Sequence, residues 1–306
     1  MSYQIRKILL AIADAGARKA IVRAAMIARK CNARIELFSA VRPAGHLIAS
    51  KAQALKVSRA RLDERLAELE GIARRLREDG VKVSCSVDFD YSGAAGILRR
   101  VALSKPDLVV IEAHKHNLLA RLMLSQTDFE LIRHCPAPLL IVKSAARPAG
   151  RPVVLAALDP WHVSGKPAAL DAHIAEVAHG LARSLGAKLH GAHVHAPLMR
   201  YDADSIMAPV VVPVSDREQK AHVAAVKHRF RAIGKRAEIA PQNLHLRLGD
   251  PGLVLPQLVR SLKVDTLVMG AVARSTLDRV LVGSTAERVL DALPCNALIV
   301  KPKRFK

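Results

Sequence analysis

The stretch Asp265-Thr-Leu-Val-Met-Gly270-Ala-Val-Ala273-Arg274, followed after further residues by Gly283-Ser284-Thr285-Ala-Glu287, decides the fold. It repeats an earlier stretch, Asp107-Leu-Val-Val-Ile-Glu112-Ala-His114-Lys115-His116 with Ser125-Gln126-Thr127-Asp128-Phe129, at a constant offset of 158 and without a gap. Asp107 matches Asp265, Thr127 matches Thr285, and Pro136 to Lys143 match Pro294 to Lys301 with a shared Leu-Ile-Val-Lys ending. Nine residues separate Ala273 from Gly283, and nine separate Lys115 from Ser125. The chain therefore carries two related domains, and only the second copy keeps the small residues that a phosphate-cradling loop uses.

Working outward, each half reads as alternating strands and helices. First strands are apolar runs ending in an acid, Lys7 to Asp14 and Val153 to Asp159; second strands run from Arg34 to Ala40 and Lys188 to Val194. Helical patterns at about 17 to 31 and 166 to 185 lie between them. Third strands are Val81 to Asp88 and Asn243 to Leu248, fourth strands Asp107 to Glu112 and Asp265 to Gly270, and fifth strands Pro138 to Lys143 and Ala297 to Lys301. Continuous apolar runs suit strands buried on both faces, and strand-helix alternation implies right-handed crossovers. The expected fold class is α/β, with two tandem doubly wound domains of five parallel strands each. Ser144 to Pro152, with two prolines and a glycine, is the linker, which cuts the chain into residues 1 to 146 and 151 to 306. Pro197 to Pro213 reads as a loop over the edge of the second pocket. In the first half, Leu55, Leu62, Leu66, Leu69, Ala73 and Leu76 form the apolar stripe of a long helix that packs on the sheet with a basic back, and Gly80 ends it.

Composition narrows the function. The 306 residues are 51% hydrophobic but only 3% aromatic, so stacking platforms for single-stranded nucleic acid are nearly absent. The net charge is +21, and residues 1 to 147 hold 26 basic and 14 acidic side chains against 22 and 13 in the remainder. Charge spread over both halves gives a general positive field that favours anions rather than a DNA-reading arm, and no nucleic-acid motif is present. Cys31, Cys85, Cys135 and Cys295 are scattered without a paired spacing, which suits reduced buried thiols. No signal-peptide pattern opens the chain and no apolar run reaches membrane-spanning length, so a soluble cytoplasmic protein with no membrane span is expected.

In an open α/β sheet, ligands sit beyond the carboxyl ends of the strands, where the loops after strands one and four face each other. Asp159 and Gly270 fall at such ends, and Gly283-Ser284-Thr285 opens the helical pattern Ala286 to Leu293. Backbone N–H groups at that helix start can hold an anion, and the two hydroxyls can either donate to phosphate or cap the helix. Arg274 adds a positive charge beside the loop. No nucleophile, base and orienting acid can be assembled from spacing, so any activity reduces to slow phosphate hydrolysis. His114 and His116, two apart, are the candidate zinc ligands, but two ligands fall short of a zinc site. His193 and His195 flank Val194 and share one face of a strand.

These residues in this order resemble the universal stress protein superfamily, whose domains have the adenine nucleotide alpha hydrolase-like fold. Its ATP-binding members carry Gly, two residues, Gly, nine residues and Gly-Ser/Thr after strand four, with an Asp after strand one and a Val after strand two. The match here is Asp159, Val194, Gly270, Ala273, Gly283, Ser284 and Thr285, with Ala273 in place of the second glycine. Ala113-His114-Lys115-His116, Thr127-Asp128-Phe129 and Arg133-His134-Cys135-Pro136 resemble the tandem, UspE-like branch. In the first domain Glu112, Lys115, Ser125 and Gln126 stand where the second has Gly270, Ala273, Gly283 and Ser284, so its phosphate loop is degenerate. The resemblance implies a stress-response regulator whose C-terminal domain binds ATP or a related nucleotide and thereby biases protein partners. Other readings are a binding protein for a different phosphate-bearing small molecule, such as a nucleotide-sugar or acyl precursor, and a ligand-free interaction protein. It also implies either a monomer whose two domains stand in for the dimer of single-domain relatives, or a homodimer.

Overall fold

The computed structural model describes residues 3–13, 17–43, 51–113, 124–145, 150–160, 169–202, 210–212, 214–270, 273–276 and 279–302. The first half runs β1 (Lys7–Ala11), α1 (Arg18–Cys31), β2 (Arg34–Val41), α2 (Lys51–Glu78), β3 (Lys82–Phe89), α3 (Gly93–Ser104), β4 (Leu108–Glu112), α4 (Gln126–His134) and β5 (Leu139–Val142). The second runs β6 (Val153–Ala157), α5 (Ala169–Leu185), β7 (Lys188–His195), β8 (Arg200–Asp202), β9 (Val210–Val212) and α6 (Asp216–Arg236). It continues with a 3₁₀ turn at Pro241–Asn243, β10 (Leu244–Leu248), α7 (Pro251–Ser261), β11 (Thr266–Gly270), β12 (Ala273–Thr276), β13 (Arg279–Val282), α8 (Ser284–Ala292) and β14 (Asn296–Val300).

Both halves have the doubly wound strand order expected from the alternation, but they share one sheet. The order is β10-β7-β6-β11-β14-β5-β4-β1-β2-β3, ten strands in all. Within this ten-stranded sheet pairing is parallel in each half and antiparallel at the seam, where Leu139, Leu140 and Ile141 of β5 face Ile299, Leu298 and Ala297 of β14. The fifth strand of each domain would otherwise be an open edge, and pairing the two removes both edges. Asn296 fastens the seam: its Oδ1 accepts the backbone N–H groups of Lys143 and Ser144, both at 3.0 Å.

Two apolar layers cover the sheet, and each runs through both halves. One joins α1, α2, α5 and α6, with Ile27, Leu69, Leu181 and Phe230 among its members. The other joins α3, α4, α7 and α8, with Ile97, Leu131, Leu258 and Leu290. Across the halves, Arg23 of α1 forms a buried ion pair with Asp265, and Lys143 Nζ donates to the carbonyls of Leu290 and Leu293 at the end of α8. A cation there complements the carbonyl end of the helix.

Two sequence expectations are refined. The apolar stripe of α2 buries Leu69, Ala73 and Leu76, whereas Leu55 is 65% exposed. A 28-residue helix is about 42 Å long, while the eight-residue β3 beneath it reaches about 26 Å, so the first turns of the helix overshoot the sheet. Within the stretch read as a loop from Pro197 to Pro213, β8 and β9 pair antiparallel, with Tyr201 opposite Val211.

Candidate functional site

The carboxyl ends of β6, β7 and β11 meet at one edge of the second half and place the predicted residues there. Asp159 follows β6, and its backbone N–H donates to Asp171 Oδ1 at 3.0 Å. Val194 lies near the end of β7 and packs on the layer that holds α7 and α8. His193 and His195 face the other way, their rings 6.2 Å apart, and His193 Nδ1 lies 2.9 Å from the Leu158 carbonyl beside Phe230. Burial pushes the His193 pKa down, which keeps a packed, neutral imidazole there.

Gly270 closes β11. A methyl group added there would lie 2.9 Å from Leu170 Cδ2 and 3.0 Å from Ile174 Cδ1, so α5 packs closely over the strand end and the tips of these side chains would have to shift. Gly283 differs. Its φ of −61° is open to any residue and a methyl group there would meet nothing within 4 Å, so neither backbone conformation nor packing demands glycine. Space is left at the start of a helix.

Between these glycines the spacer folds as a hairpin, β12 with β13, in which Ala273 pairs with Val282 and Arg274 with Leu281. Ala273 thus sits in a strand, and the hairpin register brings it next to the residue that precedes Gly283. The spacing of nine residues closes this hairpin, a role the sequence reading had not assigned to it.

Helix starts in the two halves are capped differently. At α4, Ser125 Oγ accepts the Asp128 N–H at 3.1 Å while Asp128 Oδ2 accepts the Ser125 N–H at 2.8 Å, a complete capping box. At α8 the N-cap is Gly283, with no side-chain cap hydrogen bond, and Ser284 and Thr285 occupy the first turn. The cap that Ser125 supplies at α4 has no counterpart in the Gly283 N-cap of α8. Beside α8, Asp250 Oδ1 accepts the Gly252 N–H at 2.7 Å, and Arg288 Nη2 donates to Asp250 Oδ2 at 2.7 Å. The Arg288 guanidinium, then the Gly252 N–H, hold the Asp250 carboxyl below the usual range.

Glu112, the counterpart of Gly270, has a role that spacing did not predict. Its Oε2 accepts the N–H groups of Lys19 and Ala20 at 2.7 and 3.0 Å, and Lys19 Nζ lies 4.0 Å from Oε1. The carboxylate thus caps the start of α1. His114 and His116 lie outside the described residues, as does Asp14. Among the described residues no group of three or more His, Cys, Asp or Glu is placed to hold a metal ion, and no helix is long and apolar enough to cross a membrane.

Comparison with known proteins agrees with this architecture. The model of the universal stress protein family matches residues 4–143 and again 153–301. Universal stress protein E of Salmonella typhi is 28% identical over 254 residues, covering 80% of this chain and 76% of the relative, and that of Escherichia coli K12 is 27% identical over the same shares. A crystal structure of a functionally unknown protein from Pseudomonas aeruginosa PAO1 superposes with a TM-score of 0.75 at 26% identity, covering 98% of this chain and 93% of that one. A universal stress protein from Archaeoglobus fulgidus has the same fold, with a TM-score of 0.68 at 16% identity over 98% of this chain and all of the other. With the duplicated doubly wound fold and both halves matched, the chain belongs to the universal stress protein family, as a tandem, UspE-like member.

Proposed function

We propose that this chain is a cytoplasmic stress-response protein whose C-terminal domain binds ATP or a related nucleotide at the carboxyl ends of β6, β7 and β11. The observation that carries the reading is the start of α8, where the N-cap Gly283 leaves open space and supplies no side-chain cap, against a complete capping box at the matching start of α4. Phosphate oxygens would take the N–H groups that open α8, with the hydroxyls of Ser284 and Thr285 and the charge of Arg274 as further donors. Asp159 would hold ribose hydroxyls and Val194 would line the base. The bound nucleotide would bias partner choice or self-association. Ala273 is the departure from the family pattern, standing where that pattern has its second glycine.

Calorimetric titration of the whole chain with Mg-ATP tests this reading. Binding is expected, it should disappear in Gly283→Glu, and it should tighten about tenfold in Ala273→Gly, a difference of about 1.4 kcal/mol. Failure of ATP to bind both the wild type and Ala273→Gly overturns the proposal.

A further inference from the structure

Helix α6 separates an apolar side from a cationic one. Val226, Phe230 and Gly234, four residues apart, are buried and fix its inner face. Arg217, Lys220, Lys227, Arg231 and Lys235 are all exposed. At about 100° per residue these five fall within an arc of about 80°, so they form one stripe rather than a ring. With a rise of about 1.5 Å per residue the stripe is about 27 Å long, and Lys227, Arg231 and Lys235 follow one another at steps of about 6 Å. Ala224 lies in the same arc and Ala221 and Ala232 border it, too short to cover the cations.

The stripe is not balanced along its own helix. Asp216 and Glu218, the acids of α6, lie in its first turn, where Glu218 completes the capping box with Ser215. From Gln219 to Arg236 the sequence has no acid, and Glu238 comes past the helix end, 4.0 Å from His179. Helix α2, whose back is also basic, differs: Arg59, Arg65 and Arg77 pair there with Asp63, Glu68 and Glu70 of the same helix.

Shape and sign together select the partner. A row of cations along a rod matches a linear polyanion, and a nucleic-acid duplex offers one negative charge per about 1.7 Å of axis. A helix that lies on a lipid surface buries an apolar face in it, and no large apolar side chain of α6 is exposed. Bases of a single strand stack on aromatic rings, and Phe230 faces inward. The net charge of +21 adds a field of the same sign around the whole particle, which a dense polyanion meets better than a short acidic peptide does.

We infer that the outer face of α6 is a contact surface for the phosphate backbone of a nucleic-acid duplex, DNA or RNA, bound without regard to sequence. Backbone contacts position a duplex without reading its bases, so they need none of the reading motifs that the sequence lacks.

Fluorescence anisotropy of the full chain with labelled duplexes of about 20 base pairs, DNA and RNA, between about 50 and 200 mM salt tests this. Two unrelated sequences of one duplex type should bind within about twofold of each other, and log K should fall with log salt at a slope of about −4.5, from five contacts at about 0.9 each. Lys227→Gln, Arg231→Gln and Lys235→Gln together should reduce that slope by about 2.7 and weaken binding at least about tenfold at the lower salt. Arg61→Gln, Arg74→Gln and Arg75→Gln remove the same charge from the exposed side of α2 and should leave the slope as in wild type. Thermal melts check that both variants are folded. Phosphatidylserine vesicles and polyglutamate are measured alongside. Failure of both duplexes to bind overturns the proposal, whatever the vesicles and polyglutamate do. So does an equal loss in the α2 variant, which would assign binding to net charge, or tighter binding of vesicles or polyglutamate that the α6 variant abolishes. None of these outcomes depends on whether ATP binds the second domain.

Discussion

The ion pair between Arg23 and Asp265 offers the most demanding test of how the two halves are joined. Arg23 Nη1 donates to Asp265 Oδ1 at 2.9 Å, Nη2 donates to Oδ2, and Nη2 also reaches Thr266 Oγ1 at 3.0 Å. Both side chains are 4% exposed, so solvent cannot stand in for a missing partner. Removing one member of a buried pair leaves an uncompensated charge and costs about 3–5 kcal/mol, whereas replacing both by uncharged groups of similar size is close to neutral. Asp265→Asn and Arg23→Met are each expected to cost about 3–5 kcal/mol, which lowers the melting temperature by about 5–8 °C for a chain of this size unfolding as one unit. The double variant should recover about 2 kcal/mol or more of the summed loss. Urea unfolding followed by circular dichroism supplies the cycle. Single variants within 1 kcal/mol of wild type, or strict additivity in the double variant, would refute the claim that this pair is desolvated and couples the halves.

Three further outcomes are expected. Gly270→Ala forces a methyl group against Leu170 and should cost about 1–3 kcal/mol without any ligand present; an unchanged urea midpoint would show that packing does not require glycine. His190, whose Nδ1 lies 2.8 Å from His245 Nε2, has its pKa pushed down to about 4, first by burial and then by His245. Because the folded value is below the unfolded one near 6.5, the unfolded chain binds the extra proton, and stability should fall by about 1–2 kcal/mol from pH 6.5 towards pH 4. His190→Leu should flatten that fall, and a slope identical to wild type would count against the assignment. Burial pushes the thiols of Cys135 and Cys295 up to about 12, so alkylation by iodoacetamide at pH 8 should modify them only on unfolding. Rapid labelling of either in the native protein would contradict their burial.

Much of the site was legible because its signals are local. Gly270, Gly283, Ser284 and Thr285 stand out by spacing and Ala273 by the family resemblance, and they fall on β11, the hairpin and the start of α8. What spacing missed was the reason for each glycine. Leu170 and Ile174, 100 and 96 residues earlier in the chain, lie close over Gly270, while Gly283 has nothing against it.

The sequence alone determined the duplication, the strand and helix alternation and the difference between the two loops. Hydrophobic period, turn residues and an offset of 158 are properties of neighbours along the chain. Tertiary structure alone decided that β5 and β14 pair antiparallel into one ten-stranded sheet, and that Glu112 closes the start of α1. Those outcomes depend on which groups meet across 90 residues or more. Meeting is set by sheet register and by packing of helices on both faces, which no local pattern encodes.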